Sequence, residues 1–163
     1  MNGKSTNSEI RNAIKIGDIN KVKQLISNDT KIIHRKTSYG TWLHIAAKKG
    51  DLNIVKFLVH KGIEVDASGG TFDSSALNLA AGAGHLDVVN YLIEAGAELD
   101  VSLAKRNPLF GAIYGGHKNV VEFLVEKGID VSIRYTGESL KNMNAYEYAI
   151  VFGQTEIAEY LIR

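Results

Sequence analysis

Thr41-Trp42-Leu43-His44-Ile45-Ala46-Ala47-Lys48-Lys49-Gly50 opens on an N-cap type residue and closes on a glycine suited to a left-handed C-cap, which brackets a helix of about two turns. Beyond that glycine, Leu52, Val55, Leu58 and Val59 recur at helical spacing with Lys56 and Lys61 between them, and Gly62 closes a second helix. We name these helix A and helix B. Small residues in helix A leave room for close helix approach, whereas the branched and aromatic residues of helix B fill the space between successive pairs.

The same pattern returns along the chain. Taking Ser8, Thr41, Ser75, Asn107 and Asn144 as starts, one offset lands on Ala13, Ala46, Ala80, Ala112 and Ala149, and another on Gly17, Gly50, Gly84, Gly116 and Gly153. A further offset lands on Leu25, Leu58, Leu92, Leu124 and Leu161. Steps of 33, 34, 32 and 37 residues separate the starts. A period near 33 residues marks a solenoid in which each unit buries its face only against its neighbours. The fold class expected is therefore all-α, a solenoid of five helix-turn-helix repeats.

The motifs resemble the ankyrin repeat. Its Thr-Pro-Leu-His-x-Ala-Ala signature is approached by Thr41-Trp42-Leu43-His44-Ile45-Ala46-Ala47, Ser75-Ala76-Leu77-Asn78-Leu79-Ala80-Ala81 and Asn107-Pro108-Leu109-Phe110-Gly111-Ala112-Ile113. The second-helix signature reads Gly84-His85-Leu86-Asp87-Val88-Val89-Asn90-Tyr91-Leu92 and again Gly116-His117-Lys118-Asn119-Val120-Val121-Glu122-Phe123-Leu124. The resemblance runs from Ser8 to the last residue. It implies one repeat domain over 8–163, preceded by a disordered tail over 1–7. The first repeat keeps only its cap and small residue, with charge at Glu9, Arg11 and Lys15, as a wetter terminal repeat requires.

Composition narrows the function classes. The 163 residues contain no cysteine, so there is no disulfide framework and no thiol chemistry, which suits a reducing compartment. No apolar stretch approaches the length of a membrane span, and residues 1–7 lack the apolar core of a signal peptide, so a cytoplasmic location is expected. A net charge of +1 argues against a dedicated nucleic-acid or anionic-membrane binder.

Nothing in the sequence predicts catalysis, a cofactor or a metal site. Of His34, His44, His60, His85 and His117, no two have the i, i+4 spacing that sets two metal ligands on one helix face. The resemblance implies hydrogen-bonding roles for His44, His85 and His117, while His34 and His60 read as solvated. Gly82-Ala83-Gly84 ends a helix rather than joining a strand to one, so it is a cap and not a phosphate loop. Glu122 with Glu126, and Glu156 with Glu159, have the spacing of a solvated helix face.

The resemblance also implies where binding lies. It implies that hairpin-like fingers join the repeats, and in this family the concave face, made of helix A and the fingers, is the usual protein-binding surface. Its variable positions fall on Lys48 and Lys49, Tyr114, Phe152, and the finger residues Tyr39, Phe72, Arg106 and Met143, with Leu140 in the longest finger. Basic residues gather towards the N-terminus, including Lys36, and apolar ones towards the C-terminus, including Leu103. Trp42 stands where the family prefers proline. Its indole reads equally as a binding anchor or as a wedge against the neighbouring finger, and Phe72 and Tyr135 share that ambiguity.

The expected function is a non-catalytic protein-binding module that docks one partner. A narrower alternative, motivated by likeness of the closing repeat to small bacterial immunity-type proteins, is inhibition of a toxin or enzyme. A third is end-to-end self-association through Ile157, Tyr160, Leu161 and Ile162, against a monomer as the main expectation.

Overall fold

The computed structural model describes residues 3–27, 30–70, 73–137 and 141–162. Among them are ten α-helices, arranged as five A/B pairs: α1 (Gly3–Ile16) with α2 (Ile19–Ser27), α3 (Trp42–Lys49) with α4 (Leu52–His60), α5 (Ala76–Gly82) with α6 (Leu86–Glu94), α7 (Pro108–Tyr114) with α8 (Lys118–Glu126), and α9 (Ala145–Val151) with α10 (Thr155–Leu161). A single 3-10 helix, Thr30–His34, lies in the first connection.

Four of the five repeat starts are N-caps. Thr41, Ser75, Asn107 and Asn144 each precede the first residue of an A helix, with the Ser75, Asn107 and Asn144 side chains accepting from backbone N–H groups inside it. The first repeat departs from expectation. Helix α1 begins at Gly3 and not at Ser8, so residues 3–7 are helical rather than a disordered tail. Asn7 accepts a 2.7 Å hydrogen bond from the Arg35 guanidinium, which ties this extra turn to the following finger.

Two layers result. Successive A helices pack on one another, as do successive B helices, and the A helices approach more closely. The reason is the alanine column: Ala46, Ala80, Ala112 and Ala149 are fully buried and present only a methyl group to the neighbouring repeat. Leu58, Leu92 and Leu124 fill the wider outer layer, while Leu25 and Leu161, in end repeats with one neighbour each, are only half-buried. Closer spacing on the A side curves the stack so that the A helices form the inner face.

The fingers are minimal hairpins. Antiparallel bridges join Thr37 to Gly40, Gly69 to Ser74 and Tyr135 to Met143. In the last, the two residues exchange both backbone hydrogen bonds at 3.0 Å. The finger before α7 closes differently, with the N–H groups of Arg106 and Asn107 both bonding to the carbonyl of Leu103.

Candidate binding face

The residue in the fourth position of the helix A signature links each repeat to the finger of the next. His44 accepts at Nδ1 from the N–H and hydroxyl of Thr41, so the proton resides on Nε2, which donates to Ser74 O at 2.8 Å. Burial holds this imidazole below its ordinary pKa, and it is neutral. Asn78 performs the same linkage one repeat on, donating from Nδ2 to Ser74 Oγ and to Lys105 O.

At the next equivalent position the polar link gives way to aromatic packing. Phe110 lies edge-on to Tyr135, centroids 4.9 Å apart, and beside Tyr148 at 4.7 Å. Tyr135 is thereby resolved as a structural residue. Its hydroxyl donates to Val101 O at 2.7 Å and accepts from the side chain of Asn107 at 3.0 Å, anchoring the longest finger to the one before it.

A second column locks repeats together at the A-to-B turn. The His85 ring sits against Gly50 and donates from Nε2 to Lys48 O at 3.1 Å, and the His117 ring occupies the same place against Gly84. Both glycines have φ near +79°, and a Cβ on Gly50 would lie only 2.4 Å from the His85 ring. His34 and His60, by contrast, are exposed.

The sequence-predicted site residues divide sharply. Trp42 is corrected: it is fully buried, and its indole N–H donates to Ile32 O at 2.8 Å, so it wedges against the 3-10 helix and presents nothing to a partner. Arg106 is half-buried and clamps two fingers, with ion pairs to Asp73 and, at 3.7 Å, to Asp100. Met143 is half-buried beside the bridge to Tyr135. Phe72 and Leu140 lie outside the described residues.

The remaining predicted residues form two clusters on the A-helix face. Tyr114 and Phe152, 64% and 40% exposed, meet edge to face with centroids 5.1 Å apart, and Phe152 continues onto Tyr148 at 4.5 Å. Ile150 and Val151 add exposed apolar surface beside them. Towards the N-terminus, Tyr39, Lys48 and Lys49 line a groove of about 440 Å³ that also takes in Arg11, Ile45 and Leu79. Sequence reasoning missed Arg11, Ile45 and Leu79 as a group. The signal was present for two of them, because Ile45 and Leu79 share the variable fifth position of the helix A signature.

The surface proposed for end-to-end association is smaller than expected. Ile157 is buried and Tyr160 and Leu161 are half-buried, which leaves Ile162 as the exposed member of that set. No described helix is long and apolar enough to cross a membrane.

This architecture defines a class, the all-α helix-turn-helix repeat solenoid. A family model described as ankyrin repeats (3 copies) matches residues 10–103, 43–135 and 98–163, and the chain belongs to the ankyrin repeat family. No curated protein matches the sequence. Ankyrin repeats generally serve as protein–protein interaction modules and are typically non-enzymatic.

Proposed function

We propose that the chain is a non-catalytic module that docks one protein partner on its concave A-helix face. The observation that carries this reading is the Tyr114–Phe152 pair. Two large aromatic rings held edge to face, with Tyr114 64% exposed, supply rigid contact area of the kind that anchors interfaces. Neither ring is needed to fill the core, since α7 and α9 already bury Leu109, Ile113, Ala145 and Ala149. The absence of cysteine supports a reducing, cytosolic setting, and the limited apolar surface at α10 supports a monomer.

The test is affinity capture with a matched pair of variants. Wild type is compared with Tyr114→Ala/Phe152→Ala on the inner face and Tyr91→Ala on the outer B-helix layer, after circular dichroism confirms folding. The reading expects a partner retained by wild type and by Tyr91→Ala and lost by the double variant. Equal retention by all three would move the site off the concave face.

A further inference from the structure

We infer that the N-terminal groove of this face takes an acidic, extended segment of the partner protein, a reading that rests on the concave-face function proposed above. Four cations line the groove, Arg11 and Lys15 from α1 and Lys48 and Lys49 from α3, with no carboxylate among its described lining residues. None of the four forms an ion pair within the described residues. Charge of one sign in a walled cleft focuses an attractive field on carboxylates.

Offsetting the helix dipole does not account for these residues. Cations at the C-terminal turn of a helix are favourable in general, and Lys15, Lys48 and Lys49 hold such places. The three later A helices, α5, α7 and α9, have no basic residue in the last turn, although each is also followed within two residues by a glycine of positive φ. The concentration in the first two repeats therefore reflects the groove rather than the helices.

The floor selects a peptide over a nucleic acid. Ile45 and Leu79 offer half-buried aliphatic surface suited to apolar side chains. A single-stranded nucleic acid needs open aromatic faces for base stacking. The groove holds a single tyrosine, Tyr39, with the Arg11 guanidinium 5.2 Å over one face of its ring, so it offers no series of open rings on which successive bases could stack. Neutral His44 forms part of the wall and adds no charge.

The experiment is selection from a random peptide display library on the purified chain, followed by fluorescence anisotropy of the best retained peptide. The expected result is a retained set rich in Asp and Glu with interspersed aliphatic residues. Its affinity should fall about tenfold or more in Lys48→Glu/Lys49→Glu, and should weaken as salt rises, while Lys56→Glu on the outer layer changes it less than about twofold. Lys48→Gln/Lys49→Gln, which removes charge without reversing it, should give an intermediate loss.

Retained peptides that are neutral or basic, no retained peptides at all, or indifference to the lysine variants would each overturn the inference. Neutral peptides lost only in Tyr114→Ala/Phe152→Ala would sink the acidic groove and leave the concave-face reading standing. Peptides indifferent to every inner-face variant would remove both. A fluorescein-labelled oligothymidylate of about twelve nucleotides is the counter-probe, and tighter binding of it with the same lysine dependence would overturn the peptide in favour of nucleic acid.

Discussion

The imidazole of His44 donates from Nε2 to the carbonyl oxygen of Ser74 at 2.8 Å, joining helix α3 to the finger that leads into the next repeat. That donation survives protonation, but the acceptor role of Nδ1 toward Thr41 requires a neutral ring. Burial lowers the folded-state pKa below the ordinary value of 6.5, so on acidification the unfolded chain takes up this proton first. Stability supplied by the neutral ring is fully present above about pH 6.5 and is lost as pH falls towards the folded-state value. Thermal melts between about pH 7 and pH 5 should show a steeper loss for wild type than for His44→Asn, which places at this position the side chain that Asn78 already uses. Parallel slopes would remove His44 as the group responsible.

Trp42 tests the separation of stability from binding. Trp42→Phe removes the indole donor to Ile32 O and should cost about 1–2 kcal/mol in denaturant unfolding, while Trp42→Ala should cost about 3–5 kcal/mol through the cavity it leaves. The folded Trp42→Phe protein should bind the partner with wild-type affinity. A specific loss of binding without loss of stability would contradict the buried geometry.

At Tyr114 the expectation is inverted. The side chain is 64% exposed and contacts Phe152, so Tyr114→Ala should change stability by less than about 1 kcal/mol. Chemical denaturation of the single variant, run beside the capture experiment, separates this outcome from a folding defect.

Gly50 carries both a left-handed backbone and the His85 ring. Gly50→Ala should destabilise the protein by at least about 1–2 kcal/mol, since a methyl group there is strained at φ 78° and also displaces the imidazole from Lys48 O. Gly62 provides the contrast, with a similar φ of 84° and no atom near its missing side chain. A larger loss at Gly50 than at Gly62, by urea unfolding, would isolate the packing contribution.

Tyr135→Phe is expected to cost about 1–2 kcal/mol, because Val101 O and the Asn107 amide both lose a partner at the finger contact. Hydrogen exchange should show the added opening confined to the last two fingers. Exchange that rises evenly along the chain would argue that the contact is not local.

Periodicity in the chain was enough to set the helices, their caps and the stacking order, because a solenoid makes only nearest-neighbour contacts and each repeat restates its own boundaries. Thr41, Ser75, Asn107 and Asn144 cap helices where the pattern placed them. The gradient from basic to aromatic along the inner face was legible too, since exposed positions recur at the same offset. Tertiary structure alone decided what each side chain at those offsets faces. The first helix reaches back to Gly3, and its Asn7 accepts from Arg35 of the following finger, a partner that no local pattern reveals. Trp42 turned inward because the Ile32 carbonyl lay within reach of its indole, and Arg106 was drawn to Asp73 and Asp100 on neighbouring segments. Arg11 joined Lys48 and Lys49 only when stacking brought α1 against α3. Local spacing determines which element a residue occupies; burial and pairing depend on atoms supplied by another repeat, and those distances exist only in the folded stack.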